Sequence, residues 1–325
     1  MNTPSRNILA GIVPPLVTPL LGRDQLDVAG LERLVEHVIA GGVHGLFILG
    51  TSGEAPSLSY RLRREVITRV CRQVGGRVPV LVGITDTCLV EAVGVARQAA
   101  DAGADALVTS APYYFPAGQP ELVEFVRRLV PELPLPLYLY NMPQMTKVQF
   151  HPETIRQLAE LGGIIGLKDS SGDLNYFRQL VEVARERPDW RLFMGPEHLL
   201  VDSLRAGGHG GVNGGAQIEP RLLVELLDAV RNGDEARVAA LQQRLLRLGR
   251  IYTVGQHAST VIKGMKCALS LLGICSDEMA EPMTRFGGPE RAVIREVLVE
   301  LGLLSGAELP AARRETAEPP AVVAS

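Results

Sequence analysis

The strongest constraint on the fold of this 325-residue chain is a regular alternation of two kinds of segment. Short apolar runs rich in Val, Ile and Leu recur at intervals of about 25 to 35 residues, and each precedes a segment with apolar residues at three- and four-residue steps. The runs predict strands over 12–17, 45–49, 78–82, 106–109, 135–140, 164–168, 191–194 and 210–213. The intervening segments predict helices over 31–40, 61–74, 88–102, 120–130, 152–161, 174–187 and 199–206. Eight βα units within about 230 residues predict an α/β fold, a (β/α)8 TIM barrel.

The last part of the sequence has a different pattern. After residue 219 the strand-like runs stop, and the periodicity predicts helices over 221–232, 235–256, 259–272 and 289–301. We therefore expect a catalytic barrel over 1–232 and a C-terminal helical extension over 233–304. Residues 305–325 are rich in Ala, Pro and Glu and have no periodic apolar face, which predicts a disordered tail.

Charge and cysteine usage exclude several classes of partner. The formal net charge is -3 with mixed signs along the chain, which argues against nucleic acid and against an anionic membrane surface as partners. No run reaches the roughly 18 uncharged apolar residues of a membrane span. The four cysteines lack the spacings of a zinc site or a redox motif, and no His pair has i, i+4 spacing. A cytoplasmic protein without a bound metal is predicted.

Lys168 is the first candidate catalytic residue. Only four of the 33 basic residues are lysines, yet one of them ends the apolar strand 164–168, where a βα loop of a barrel begins. A partly desolvated amine can act as a nucleophile, which a guanidinium cannot do. The alternative is a lysine that reaches the rim or pairs with Asp169.

Two further strand ends carry groups that could act beside an amine. The second strand leads into Gly50-Thr51-Ser52-Gly53-Glu54, a turn whose backbone N–H groups and hydroxyls can hold a carboxylate, although the same pattern also fits a simple helix cap. The fifth strand ends at Tyr140, whose phenol could relay protons. The aromatic loop at 111–116 after the fourth strand fits a cover over the site, a subunit contact or a core cluster.

The loops after the seventh and eighth strands do not identify the substrate by their sequence. They contain Glu197 and His198, and the glycine-rich run 207–215 that includes Asn213. Glycine-rich loops at these positions bind phosphate in many barrels, so a phosphate-binding isomerase or lyase is a competing hypothesis. Against it, the only nearby cation is Arg205, in the preceding helix, where it is expected to point outward. A serine nucleophile is disfavoured because the chain has no Gly-x-Ser-x-Gly elbow.

Three motifs together resemble those of the dihydrodipicolinate synthase / N-acetylneuraminate lyase family of class I Schiff-base aldolases. They are Gly50-Thr51-Ser52-Gly53-Glu54, Tyr140-Asn141-Met142-Pro143 and Gly166-Leu167-Lys168-Asp169-Ser170, in the order and spacing of that family. Pro112-Tyr113-Tyr114, the glycines near residue 211 and the helical C-terminus also look like this family. The resemblance extends over residues 8–303.

The resemblance implies a mechanism and a quaternary structure. In such enzymes the lysine matching Lys168 forms a Schiff base with pyruvate or another 2-keto acid, and the tyrosine matching Tyr140 transfers the proton. Thr51 would link Tyr140 to Tyr114 of a neighbouring subunit, which implies a homo-oligomer, either a tetramer or a dimer. The residues that the resemblance assigns to substrate binding are Thr51, Ser52, Ser170, Glu197, His198 and Asn213. No metal and no organic cofactor is implied.

Two departures from the family pattern bear on the substrate. Met145 lies where dihydrodipicolinate synthases have an arginine for the carboxylate of aspartate semialdehyde, and a thioether cannot replace that cation. Gly214 lies where neuraminate lyases have a serine. The prediction is a lyase that makes or breaks a C–C bond of a sugar-derived or unusual 2-keto acid. Condensation of pyruvate with aspartate semialdehyde, dehydration of a 2-keto-3-deoxy sugar acid, and a keto-acid sensor without activity remain alternatives.

Overall fold

Eight parallel strands form the centre of the protein. The computed structural model describes residues 9–305. The strands, numbered β1 to β8, are Gly11–Ile12, Leu46–Ile48, Val80–Gly83, Ala106–Ser110, Leu137–Asn141, Ile164–Asp169, Arg191–Met194 and Gly210–Gly211. Each pairs with the next in the chain from β2 to β8, and β8 pairs with β1. A parallel bridge between Pro15 and Phe47, with Phe47 N donating to Pro14 O at 3.0 Å, joins β1 to β2 and closes the barrel.

The barrel has two separate apolar layers because successive residues of a strand point to opposite faces. One layer lies between the strands and the surrounding helices and contains most of the buried residues. The other fills the inside of the barrel. Its members are Val13, Phe47, Leu81, Ala106, Val108, Tyr138, Tyr140, Phe193 and Val212. Both faces of the sheet are therefore buried, which explains why the strands read as continuous apolar runs.

The helices surround the barrel as the periodicity predicts. They are Val28–Ala40, Tyr60–Val74, Leu89–Asp101, Gln119–Leu129, Pro152–Ala159, Leu174–Arg185, Leu200–Ala206 and Pro220–Asn232. Each lies within a few residues of its predicted position. Within residues 9–305, none of the helices has the length and apolar character needed to cross a membrane.

The C-terminal part contains one error in the prediction. The helix expected over 235–256 ends earlier, as Glu235–Leu248, and a 3-10 turn over Gly249–Thr253 follows. The helix Thr260–Leu271 packs directly on this turn, since a Cβ on Gly264 would lie 2.3 Å from the Ile251 carbonyl oxygen. The sequence therefore keeps its helical periodicity beyond Leu248, although packing against the next helix ends the α-helix there.

Two short elements and the last helix remain to be described. An antiparallel hairpin of Leu20–Gly22 and Gln25–Leu26 and a short helix Pro143–Thr146 were not predicted, because each is too short to show a period. The final helix is Gly288–Glu300, close to its predicted position. The predicted disordered tail, 305–325, lies outside the described residues except for its first residue.

Candidate active site

Lys168 lies inside the barrel, near the carboxyl ends of the strands. In the strand register it pairs with Tyr140 on one side and Phe193 on the other. Its Nζ is 4.0 Å from the centroid of the Tyr140 ring and 5.2 Å from that of Phe47, and the residue is 6% exposed. Among residues 9–305 no carboxylate forms an ion pair with Lys168, so the alternative of a pair with Asp169 is wrong.

Asp169 instead stabilises the end of the same strand. It is fully buried and accepts hydrogen bonds from Asn141 Nδ2 at 2.8 Å, Ser171 N at 3.0 Å and Ser171 Oγ at 2.9 Å. Burial raises the pKa of Asp169, although these hydrogen bonds oppose the increase. The network joins β5 to β6 and thereby holds Lys168 beside Tyr140.

Tyr140 is polarised by its neighbours. Its hydroxyl lies 3.3 Å from Thr51 Oγ1, within hydrogen-bond distance. Burial, the largest influence, opposes ionisation of the phenol, but the positive charge of Lys168 and hydrogen bonds with Thr51, Ser170 and Lys168 together outweigh it and lower the pKa of Tyr140. A phenol that gives up its proton more easily, next to an amine, can serve as a proton carrier.

The turn that carries Thr51 and Ser52 is held in an unusual backbone conformation. Leu49 and Glu54, on either side of it, both have positive φ, 57° and 55°. Residues other than glycine rarely adopt this region of backbone conformation, and such strain persists only where the surrounding structure holds the backbone in place. The Thr18 hydroxyl donates to Gly53 O at 2.8 Å on one side of the turn. The turn is therefore a rigid element.

A buried ion pair, not predicted from the sequence, holds the other side of this turn. Glu54 pairs with Lys266, and both side chains have no exposed surface. Glu54 also accepts a hydrogen bond from Ala280 N at 2.8 Å, while Lys266 donates to Glu278 O at 2.7 Å. The C-terminal helical part of the chain thus anchors the turn. The scarcity of lysine makes Lys266 conspicuous in the sequence, but no local pattern predicts that it pairs with Glu54, 212 positions away.

A cavity of about 280 Å³ opens in front of Lys168. The predicted site residues on its wall are Thr51, Ser52, Tyr140, Lys168, Ser170, Glu197 and His198. Asn213 is not among the lining residues: it is fully buried, and its Nδ2 donates to Met194 O at 3.1 Å and Gly195 O at 2.8 Å. Its position fits a role in holding the ends of β7 and β8 together.

Tyr114 is also absent from the cavity. It is 74% exposed and packs edge-on against the equally exposed Phe115, with ring centroids 5.0 Å apart. Its neighbour Tyr113 lines a second, mostly apolar cavity of about 390 Å³ on the other side of Thr51 and Tyr140. Within one chain, therefore, Tyr114 does not reach the proton-transfer residues.

Glu197 and Tyr252 are two polar residues that line the same cavity as Lys168 and come from later parts of the sequence. Glu197 opens the short turn Glu197–Leu199 after β7, and its Oε2 accepts from Gly215 N at 2.7 Å. Burial raises the pKa of Glu197 to about 7, opposed by this bond and by the nearby Tyr252 hydroxyl. Tyr252, which the sequence analysis did not identify, comes from the 3-10 turn Gly249–Thr253.

Two observations bear on the alternatives left open by the sequence. Among the described residues that line the cavity, Lys168 is the only Lys or Arg, and Arg205 points outward to pair with Glu235. This disfavours the phosphate-binding hypothesis, because the cavity offers a phosphate no Lys or Arg besides Lys168 among the described residues. Met145, 41% exposed, lines both cavities, so a neutral thioether is present where the sequence comparison expects an arginine in dihydrodipicolinate synthases.

Comparisons with known proteins agree with this geometry. Residues 8–300 match the dihydrodipicolinate synthetase family. A solved structure described as dihydrodipicolinate synthase from Bacteroides thetaiotaomicron is 54% identical, with a TM-score of 0.87, and the match covers 92% of this chain and all of that one. A 4-hydroxy-tetrahydrodipicolinate synthase of Methanoculleus marisnigri is 31% identical over 90% of this chain and 99% of its own length.

YagE of Escherichia coli is a third relative. It is described as a putative 2-dehydro-3-deoxy-D-gluconate aldolase, is 30% identical, and matches over 92% of this chain and 99% of its own. Its structure, solved in complex with pyruvate, has a TM-score of 0.87 over 91% of this chain and all of YagE. The resemblance inferred from the three motifs is confirmed, and this chain belongs to the dihydrodipicolinate synthetase family of carbon–carbon lyases.

Proposed function

We propose that Lys168 forms a Schiff base with pyruvate or a related 2-keto acid, and that the enzyme makes or breaks the C–C bond between C3 of that acid and an aldehyde carbon. The observation that carries the proposal is the position of the Lys168 amine, 4.0 Å from the Tyr140 ring in a barrel interior where no carboxylate of the described residues pairs with it. The pyruvate complex of YagE supports the choice of keto acid.

The site residues support each step of this chemistry. The neutral amine attacks C2 of the keto acid, the carbinolamine loses water, and the resulting iminium withdraws electrons so that C3 can release a proton. Thr51 and Ser52 hold the carboxylate with hydroxyl and backbone N–H groups, which orients the carbonyl next to Lys168. Tyr140 carries protons between these intermediates. The enamine then attacks the aldehyde, whose oxygen takes up a proton, and water hydrolyses the resulting iminium to release the product and free the Lys168 amine. Cleavage is the same sequence reversed.

Reduction with borohydride tests the Schiff base directly. With pyruvate present, borohydride should reduce the iminium and leave a three-carbon unit on Lys168, identified by peptide mass spectrometry. Lys168→Ala should take up no label, whereas Lys263→Ala, which removes a lysine outside both cavities, should be labelled like the wild type. Labelling of another lysine, or no labelling of folded wild-type protein, would contradict the proposal.

We also propose that the active unit is a homo-oligomer in the cytoplasm. Tyr114 and Phe115, which follow Tyr113 on the wall of the second cavity, are 74% and 79% exposed, and large exposed aromatic pairs are typical of contact surfaces. A second copy could bring its Tyr114 to Thr51 there. Light scattering should show that Phe115→Asp lowers the mass of the assembly, while Val90→Asp, another highly exposed apolar position, does not. The four unpaired cysteines support a reducing compartment.

A further inference from the structure

Two apolar side chains are exposed on the wall of the cavity that holds Lys168. Met145 is 41% exposed and Val261 is 45% exposed, and both residues line this cavity. A single exposed apolar side chain is ordinary on an open protein surface. On the wall of a reaction site, however, two of them offer the substrate an apolar surface whose removal from water is favourable. The two residues therefore bear on what the cavity binds.

These side chains belong to an apolar patch that is built from two distant parts of the chain. The members of the patch are Met142, Met145, Val261 and Ile262. The two methionines belong to the short helix Pro143–Thr146 and the residue before it, whereas the other two belong to the first turn of the helix Thr260–Leu271. Both methionines and Ile262 also line the second cavity. The patch thus extends from the reaction site toward the second cavity.

The charges near the patch disfavour an acidic substrate tail. Lys168 is the only Lys or Arg among the described residues that line its cavity, and in the Schiff base its charge is balanced by the carboxylate of the keto acid. The described lining of the second cavity contains no Lys or Arg, and its one carboxylate, Glu54, is paired with Lys266 and has no exposed surface. A carboxylate on the aldehyde would therefore be buried against the patch without a counter-charge, which is costly.

The hydrogen bonds near the patch disfavour a hydroxylated tail as well. The Thr146 hydroxyl, on the wall of the second cavity, already donates to Val148 O at 2.9 Å. Glu197, on the wall of the first, accepts from Gly215 N and lies beside the Tyr252 hydroxyl. A hydroxyl group placed over the patch would lose its bonds to water and gain none from the four apolar side chains. An apolar tail has no such bonds to lose.

We infer that the apolar patch selects, as the partner of the keto acid, an uncharged aldehyde with an apolar tail. The tail lies against Met145 and Val261, which become buried when the aldehyde binds, and this burial of apolar surface supplies the affinity. Met145 and Val261 are thus specificity-determining residues, one from a barrel loop and one from the C-terminal helical part. The inference rests on the proposed aldol chemistry at Lys168 and adds the class of the aldehyde.

The first test measures kcat/KM with pyruvate for unbranched aldehydes from propanal to hexanal. Each added methylene should raise kcat/KM about two- to fourfold while the tail extends along the patch, because each methylene leaves water for an apolar surface. Butanal should exceed succinic semialdehyde, an aldehyde of the same length that ends in a carboxylate, by at least about 100-fold, since the carboxylate meets no cation.

A pair of matched valine variants tests the patch itself. Val261→Ser should lower kcat/KM for hexanal about 5- to 20-fold and change that for propanal less than about twofold, because propanal is too short to cover the residue. Val293→Ser is the control, since this valine is 42% exposed in the helix Gly288–Glu300 and lines neither cavity. It should leave the ratio of the two aldehydes unchanged. Borohydride trapping of pyruvate on Lys168 checks that each variant is folded and reacts with the keto acid.

A change of charge at the patch should reverse the preference. Met145→Arg should raise kcat/KM for succinic semialdehyde at least about tenfold, because the guanidinium pairs with its carboxylate. The same variant should lower kcat/KM for hexanal. Met145→Gln, a neutral polar residue of similar length, is the control, because it should lower kcat/KM for hexanal without improving that for succinic semialdehyde.

Several results would overturn the inference. They are equal kcat/KM values for propanal and hexanal, equal effects of Val261→Ser on both, and a wild type that prefers succinic semialdehyde or glyceraldehyde to hexanal. If borohydride still attaches pyruvate to Lys168 in these experiments, the patch does not select the aldehyde and the proposed function stands. If wild-type Lys168 is not labelled, the proposed function itself fails, so the two failures are distinguishable.

Discussion

Two buried carboxylates beside the candidate site differ in how their charge is balanced. Glu54, in the turn that carries Thr51, pairs with Lys266 and accepts a hydrogen bond from Ala280 N. Glu197, on the wall of the cavity that holds Lys168, accepts a hydrogen bond from Gly215 N and lies beside the Tyr252 hydroxyl, but it forms no ion pair among the described residues. A nearby ammonium offsets the cost of burying a carboxylate charge, whereas burial without a cation favours the protonated form. The first arrangement holds a backbone turn in place, and the second leaves a group that can exchange a proton near neutral pH.

The largest effect is expected at Tyr140, which lies beside the turn that contains Thr51 and Glu54. Tyr140→Phe removes the hydroxyl that carries the proton, and kcat should fall about 100- to 10 000-fold, the usual contribution of general acid–base catalysis. Borohydride trapping of pyruvate should persist at a reduced rate, and steady-state kinetics would measure the loss. Tyr113→Phe is the control on the adjacent cavity. A Tyr140→Phe variant with nearly full kcat would remove Tyr140 from the mechanism.

The buried ion pair should be the next most sensitive point. Lys266→Met leaves Glu54 charged and buried without a cation, which should lower the free energy of unfolding by about 3–5 kcal/mol in chemical denaturation. Arg250→Ala, which breaks the exposed pair with Glu300, should cost less than about 1 kcal/mol. The double variant Lys266→Met/Glu54→Leu should recover most of the stability. If the double variant recovers stability but has a higher KM for pyruvate than the wild type, the pair also positions Thr51 and Ser52. A Lys266→Met variant as stable as the wild type would contradict the prediction.

The carboxylate without a cation should affect the pH dependence of stability. Burial raises the pKa of Glu197 from an ordinary 4.5 to about 7 in the folded protein, so between these pH values the folded state holds a proton that the unfolded state has released. The free energy of unfolding therefore falls as pH rises through this window, by roughly 3 kcal/mol in total from this group. Glu197→Gln should remove that part of the decline. Denaturation curves at several pH values measure it, and equal slopes for both proteins would show that Glu197 does not titrate there.

The smallest effect is expected for the link between Tyr140 and the turn. Thr51→Val removes one hydrogen bond to the phenol and should lower kcat about tenfold. Because this bond lowers the pKa of Tyr140, the alkaline limb of the kcat profile should also move to higher pH. Thr68→Val, at an exposed helix position, should change neither. A tenfold loss without movement of the pH profile would indicate that Thr51 acts only on the substrate carboxylate.

Much of the fold and the chemistry could be predicted from local patterns. The eight strands and their helices follow from runs and periods that a few neighbouring residues define, and Lys168 and Tyr140 follow from their places at strand ends. The hairpin Leu20–Gly22 and Gln25–Leu26 and the end of the helix at Leu248 could not be predicted in this way. They depend on contacts made after the chain has folded back.

The sequence by itself determined the βα rhythm, the nucleophile and the family, because periodicity and motifs are properties of neighbouring residues. Only the tertiary structure decided how the buried charges are balanced. Glu54 meets Lys266, 212 positions away, and forms an ion pair, whereas Glu197 meets Tyr252, 55 positions away, and has no ion pair among the described residues. The energy of a buried charge depends on the groups within a few ångströms of it. That neighbourhood exists only once the C-terminal helices have packed against the barrel.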